Sequence, residues 1–118
     1  VSPSPTLSEE DEAIMNRIMT FVEAHISDSD VSVDDMAEAA AMSRSSLNRK
    51  MKSLVGLPPA DFLREARIKR AQELLTVSRT SVAETAYRCG FTDPKYFSRV
   101  FRQSVGMSPS EYKANKGH

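Results

Sequence analysis

The sequence predicts an all-α fold of about seven helices, in which a short helix, a tight turn and a second helix occur twice around a long connecting helix. Three observations carry that expectation. Apolar residues recur at helical spacing along most of the chain, proline and glycine punctuate the periodic segments, and one half of the sequence repeats the other. The length of 118 residues suits one domain that buries a core without disulfides or a structural metal. Residues 1–8 have the composition of a linker, with Ser-Pro-Ser-Pro-Thr from Ser2 to Thr6, and residues 9–115 are assigned to the domain. The chain starts at Val1 rather than a methionine and reads as a piece of a longer protein.

Taking the elements in order, Glu9 to Ile26 sets Ile14, Ile18, Phe21, Val22 and Ile26 on one helical face, with acids in the first turn where the helix dipole favours them. Asp28 to Asp30 break that helix. Ser32 with Asp35 then has the form of an N-cap and an acidic third position, opening a short helix through Met36, Ala37 and Ala40. Ser43 starts the next, with Leu47, Met51 and Leu54 on one face and Ser45, Asn48, Arg49 and Lys52 on the other, and Gly56 stops it. Pro58 and Pro59 can only begin a helix, so a long connecting helix is placed at about 59–76, its buried stripe running from Phe62 and Leu63 through Ile68 and Ala71 to Leu75. Ser81 and Glu84 have the spacing of a full capping box for a short helix ending at Cys89 and turned off by Gly90. Thr92 or Asp93 caps the following helix, with Pro94 in its first turn, Phe97, Val100, Phe101 and Ser104 facing inward, and Gly106 at its end. Pro109 and Tyr112 mark a last short helix before a polar, frayed tail from Asn115 to His118.

Shifted by 50 residues, Leu47 meets Phe97, Arg49 meets Arg99, Met51 meets Phe101, Lys52 meets Arg102, Gly56 meets Gly106 and Pro59 meets Pro109. Upstream a shift of 49 pairs Val33 with Val82, Ala37 with Ala86, Met42 with Phe91 and Ser43 with Thr92, which puts one extra residue at the start of the second unit's exposed helix. Each unit therefore reads as a helix-turn-helix, at about 32–56 and about 81–106, whose second helix is suited to a major groove.

The formal net charge of zero hides a strong asymmetry: residues 1–38 carry Arg17 against ten acids, a net of −9, and the remainder carries fifteen bases against six acids, a net of +9. Ser43 to Gly56 has four bases and no acid, and Pro94 to Gly106 has three bases and no acid. A helix that merely faced water would interleave both signs, whereas a carboxylate held near phosphate costs affinity. Arg49 and Arg99 sit mid-face, where a guanidinium can grip guanine through two parallel hydrogen bonds, and Asn48 carries the amide that pairs with adenine. Ser45 and Lys95 lie one turn earlier, near the base edges, and Tyr96 belongs either to the groove face or to the rim of the core. Lys52 and Arg102 lie one turn later, placed to hold phosphate, and Arg44 and Ser46, at the start of the first unit's exposed helix, are assigned the same role. One basic residue on a helix is ordinarily a solvated charge; its repetition on an equivalent face is what singles out this pair. Phe97, Phe101 and Met51 read as core.

Cys89, the lone cysteine, reads as a buried structural thiol and suits a cytoplasmic protein; there is no signal-peptide pattern and no apolar run of membrane-spanning length. No nucleophile with a base, no paired carboxylates and no glycine-rich phosphate loop are evident, so no catalytic residue, metal or cofactor is expected.

Ser43 to Leu75 (SRSSLNRKMKSLVGLPPADFLREARIKRAQELL) and Gly90 to Lys113 (GFTDPKYFSRVFRQSVGMSPSEYK) closely resemble the DNA-binding domain of the AraC/XylS family of transcription regulators. Within that family the chain looks most like the C-terminal output domain of hybrid two-component regulators. The resemblance implies a two-lobed, seven-helix domain whose connecting helix holds both reading helices against one face of double-stranded DNA. It also implies that Ser45, Asn48, Arg49, Lys95, Tyr96 and Arg99 occupy base-reading places. RNA polymerase is a further expected partner, with dimerisation through N-terminal domains absent from this sequence and no membrane contact from this domain. Thr85 stands where the family has a large aliphatic residue and Ala41 where it often has glycine, so a less tightly packed second lobe and a slightly shifted first turn are expected. The competing readings are a helical protein-interaction module that uses a basic groove, and an enzyme, for which no residues argue.

Overall fold

The computed structural model of this chain describes residues 7–77 and 79–116, which contain seven α-helices and no strand. In chain order these are α1 (Glu9–His25), α2 (Val33–Ala39), α3 (Arg44–Val55), α4 (Pro59–Val77), α5 (Val82–Arg88), α6 (Pro94–Val105) and α7 (Pro109–Lys116). No helix among the described residues is long and apolar enough to cross a membrane.

Local chemistry sets most of the boundaries. The Ser8 hydroxyl accepts from the Asp11 amide at 3.1 Å, so the end of the supposed linker is the cap of α1; residues 1–6 of that linker lie outside the described residues. Ser32 and Asp35 form a reciprocal capping box at the start of α2. The expected full box at Ser81 is only half made. Ser81 accepts from the Glu84 amide at 3.1 Å, but the Glu84 carboxylate turns along the helix to Arg88, 2.8 Å away, where an opposite charge one turn later is the better partner. The second full box is instead at α7, where Ser108 Oγ accepts from the Glu111 amide at 3.1 Å and the Ser108 amide donates to Glu111 Oε1 at 2.8 Å. That same helix runs further than expected. Asn115 and Lys116 are helical rather than frayed, with Asn115 Nδ2 donating to Met107 Sδ at 3.8 Å, while residues 117–118 of the expected tail lie outside the described residues.

The helices make two cores. In the first lobe Ile14, Ile18 and Val22 of α1 pack with Met36, Leu47, Met51 and Leu63; in the second, Ile68, Ala71 and Leu75 pack with Ala86, Phe91, Phe97 and Phe101. Both cores draw on α4, a 19-residue helix about 28 Å long, and the division falls between Ala66 and Ile68. The Cα radius of gyration is 15.8 Å, above the roughly 13.5 Å of a single compact body of this length, as two lobes on a shared helix require.

The two turns are near copies. Ala40 N donates to Met36 O at 3.0 Å, Ala41 N to Glu38 O at 3.0 Å and Met42 N to Ala37 O at 3.0 Å; their counterparts are Cys89 N to Thr85 O at 3.0 Å, Gly90 N to Tyr87 O at 3.1 Å and Phe91 N to Ala86 O at 2.9 Å. The expected shift of the first turn is therefore absent: Ala41 takes the left-handed conformation itself, at φ 59°. The extra residue of the second unit is Thr92, in the turn rather than in the helix, because Asp93 is the cap that corresponds to Ser43. Ser104 is exposed, not inward, and its hydroxyl donates to Glu65 Oε1 at 2.8 Å, bracing α6 on α4. Thr85 is fully buried, but its hydroxyl donates to Ser81 O at 2.9 Å and lies 3.0 Å from the Thr80 hydroxyl, so the polar group is satisfied inside the second lobe.

Candidate nucleic-acid interface

Helix α3 is fixed from behind by Leu47 and Met51, both fully buried. That orientation leaves Ser45, Asn48, Arg49 and Lys52 exposed on its outer face. Ser46 is half-buried and faces its own cap: Ser43 Oγ accepts from the Ser46 amide at 3.1 Å and donates to Ser46 Oγ at 3.0 Å, while Arg49 Nη2 approaches that oxygen at 3.5 Å. Arg44 is exposed at the N-terminal end, its Nη1 3.4 Å from Asp34 Oδ1. Lys50, one of the four bases counted on this segment, points the other way, its Nζ 3.0 Å from Asp11 Oδ1 on α1.

Helix α6 is held by Phe97 and Phe101, fully buried, and by Val100. Lys95, Tyr96, Arg99 and Arg102 all lie on its exposed side. The three residues assigned to base reading are drawn together. Lys95, Tyr96 and Arg99 line one open recess of about 450 Å³ with Thr92 and Asp93 at the N-terminal end of the helix. Arg99 Cζ sits 5.3 Å from the centre of the Tyr96 ring, and that ring lies 6.1 Å from Phe91. Tyr96 thus belongs to the rim of the core and to the outer face at once, 40 % exposed with the guanidinium over its ring. Asp93 contributes a carboxylate to the recess, occupied in capping the Lys95 amide at 3.0 Å.

The acids matter more than their sequence positions suggest. Besides Asp34 at Arg44, Glu111 of α7 lies 3.6 Å from Arg102 Nη1. Hydrogen bonds from the Ser108 amide and hydroxyl, opposed by desolvation and aided by Arg102, hold the Glu111 carboxyl below its ordinary range, so it is ionised at neutral pH. Two of the four residues assigned to phosphate, Arg44 and Arg102, therefore each face an exposed carboxylate, and Lys52 has no ion-pair partner within 4.0 Å among the described residues. These pairings join residues on different helices, so charge counting along one segment misses them. The Ser-Pro-Ser-Glu string at 108–111 was the available signal for the capping box that fixes the Glu111 carboxylate.

The family model described as a helix-turn-helix domain matches residues 36–115, more than half of the chain. The chain belongs to the AraC-type helix-turn-helix family. It is 35% identical over 102 residues to the HTH-type transcriptional activator RhaS of Escherichia coli strain SE11, covering 86% of this chain and 36% of that protein. It is 31% identical over 114 residues to Histidine kinase P4 of Formosa agariphila, covering 96% of this chain and 8% of that protein. The fold matches the DNA-binding domain of AdpA, a global transcriptional factor solved in complex with a target DNA, with a TM-score of 0.80 and 34% identity over 87% of this chain and 91% of that one. This AraC-type chain thus spans about a third of the activator and a small fraction of the kinase.

Proposed function

We propose that this chain binds double-stranded DNA sequence-specifically as the output domain of a bacterial transcription regulator, with α3 and α6 reading successive major grooves. The observation that carries the proposal is the repeated presentation of one outer face: two 12-residue helices, each anchored by two fully buried side chains, each exposing an arginine at the same helical position, Arg49 and Arg99. Ser45, Asn48 and Arg49 read one element and Lys95, Tyr96 and Arg99 the other, while Arg44, Ser46, Lys52 and Arg102 hold phosphate. The molecule measures 42 × 40 × 21 Å, a slab wide enough for two reading helices about 34 Å apart, one turn of B-DNA. AdpA's target DNA and the name of RhaS support the same reading.

In the whole protein the domain acts in the cytoplasm without chemistry of its own, downstream of two-component signalling, with RNA polymerase as a second partner and dimerisation carried by other domains. The match to a histidine kinase supports that placement. A binding titration on duplex DNA over a range of salt tests the proposal: log affinity should fall steeply and linearly with log salt, as release of counterions by several bases requires, and one sequence should be preferred. A helical protein-interaction module with a basic groove could share the salt dependence but would show no sequence preference.

A further inference from the structure

Gly90 and Ala41 hold equivalent places in their turns, yet only one of them has room for a side chain. Ala41 is exposed at φ 59° with its β-carbon in place, so the turn itself tolerates one. Gly90 is buried at φ +85°, and a β-carbon there would lie 2.5 Å from Ile26 O, 2.8 Å from Arg67 Nε and 3.0 Å from Arg67 Cζ. Ile26 caps α1 in the first lobe. Arg67 stands on α4 between Ala66 and Ile68, where one core ends and the other begins, and its Nη2 donates to Asp28 O of the α1–α2 loop at 2.8 Å. The turn of the second lobe is thus seated against the loop of the first, with the Arg67 guanidinium wedged between them and its Nε buried without a protein partner. The principal helix packing stays within each lobe or runs through α4, and this seat adds a direct contact between the lobes.

We infer that Gly90 and Arg67 form a latch between the lobes that sets the separation of α3 and α6, and so the spacing of DNA elements that the protein accepts. The inference rests on the tandem-reader function proposed above. Without the latch the two cores would be joined chiefly through α4, and the readers would sample a range of separations. With it, both lobes engage one site only when its elements match the fixed distance, because joined modules lose their mutual gain once geometry forbids simultaneous contact.

The test is a set of duplexes carrying both elements at spacings from about 8 to about 13 bp, bound by the 118-residue chain and by three variants of it. Wild type should show a sharp optimum near about 10 bp. Gly90→Ala should lose about tenfold or more at that optimum and flatten or shift the profile. Gly106→Ala is the control, since it imposes the same left-handed strain in the same lobe, at φ +93°, but its β-carbon meets nothing within 4 Å; its profile should keep the wild-type optimum. Arg67→Gln, which removes the donor to Asp28 without adding bulk at the turn, should broaden the profile even where Gly90→Ala fails to fold. A wild-type optimum preserved in folded Arg67→Gln, or in folded Gly90→Ala, overturns the latch and leaves the tandem reading intact. A wild-type profile with no spacing dependence overturns the tandem reading itself.

Discussion

Ala41 and Gly90 occupy the same position in the two turns and share a left-handed backbone, φ 59° and φ 85°, although one carries a side chain and the other has none. For an L-residue that conformation costs roughly 1–2 kcal/mol. Replacing Ala41 by glycine removes the strain but adds freedom to the unfolded chain worth about 0.4–1 kcal/mol. The net expectation is that Ala41→Gly stabilises the domain by about 0.5–1 kcal/mol and raises its melting temperature by a few degrees. Thermal and denaturant unfolding of the two proteins checks this, and a lower midpoint in the variant would show that the alanine side chain contributes packing at the turn.

Cys89 is fully buried beneath the second turn, and burial pushes its thiol up from an ordinary 9.0 to about 11, against the opposing pull of Arg70 and Arg67. Between those values the unfolded chain has given up a proton that the folded chain retains, so this contribution is complete below about pH 9 and is lost as pH rises towards 11. Cys89→Ala should therefore lose less stability than wild type on going from neutral pH to pH 11, whatever the substitution costs at neutral pH. Equal alkaline losses in the two proteins would place the titration elsewhere.

Lys52 and Arg102 fall one turn beyond Arg49 and Arg99, the proposed base readers, and alanine at either should weaken binding about equally for every sequence and lower the salt slope by about one. Because Glu111 lies 3.6 Å from Arg102, a proposed phosphate contact, Glu111→Gln should strengthen binding within a factor of about five, glutamine being able to keep the capping box with Ser108. Binding measurements on preferred and scrambled duplexes distinguish these roles: a loss confined to one base position would make Lys52 or Arg102 a base reader, and unchanged affinity in Arg102→Ala would remove Arg102 from the phosphate contacts.

Much of this architecture could be read from residue order, for reasons visible at particular positions. Leu47 and Met51 recur at helical spacing and are buried together, and the repeat that pairs them with Phe97 and Phe101 recurs as a second core. Caps were legible at Ser32 and Asp35, where the partner lies three residues away, but the same spacing hid the cap at Ser8, placed in the linker, and the box at Ser108 and Glu111, while Arg88 drew Glu84 out of the box expected at Ser81. Other contacts that escaped prediction join distant segments. Asp11 meets Lys50 and Asp28 accepts from Arg67, and neither spacing is a helical or turn period. The sequence placed Asp93 and Thr92 one residue apart without showing which would cap α6; the choice follows from the length of the turn that Gly90 closes. At the candidate interface, exposure of the outer faces followed from periodicity, whereas the pairing of Arg44 and Arg102 with acids required the packed helices.

The two proposed readers differ, Ser45, Asn48 and Arg49 against Lys95, Tyr96 and Arg99, so a single chain should bind a non-palindromic site of unlike elements. The most direct measurement is selection of bound sequences from random duplex DNA by wild type, Arg49→Ala and Arg99→Ala in parallel. Each substitution should cost roughly 1–3 kcal/mol and relax base preference in its own half of the motif, the two halves centred about 10 bp apart. If both substitutions blur the same base pairs, or neither changes the selected motif, the two helices are not separate readers of one site.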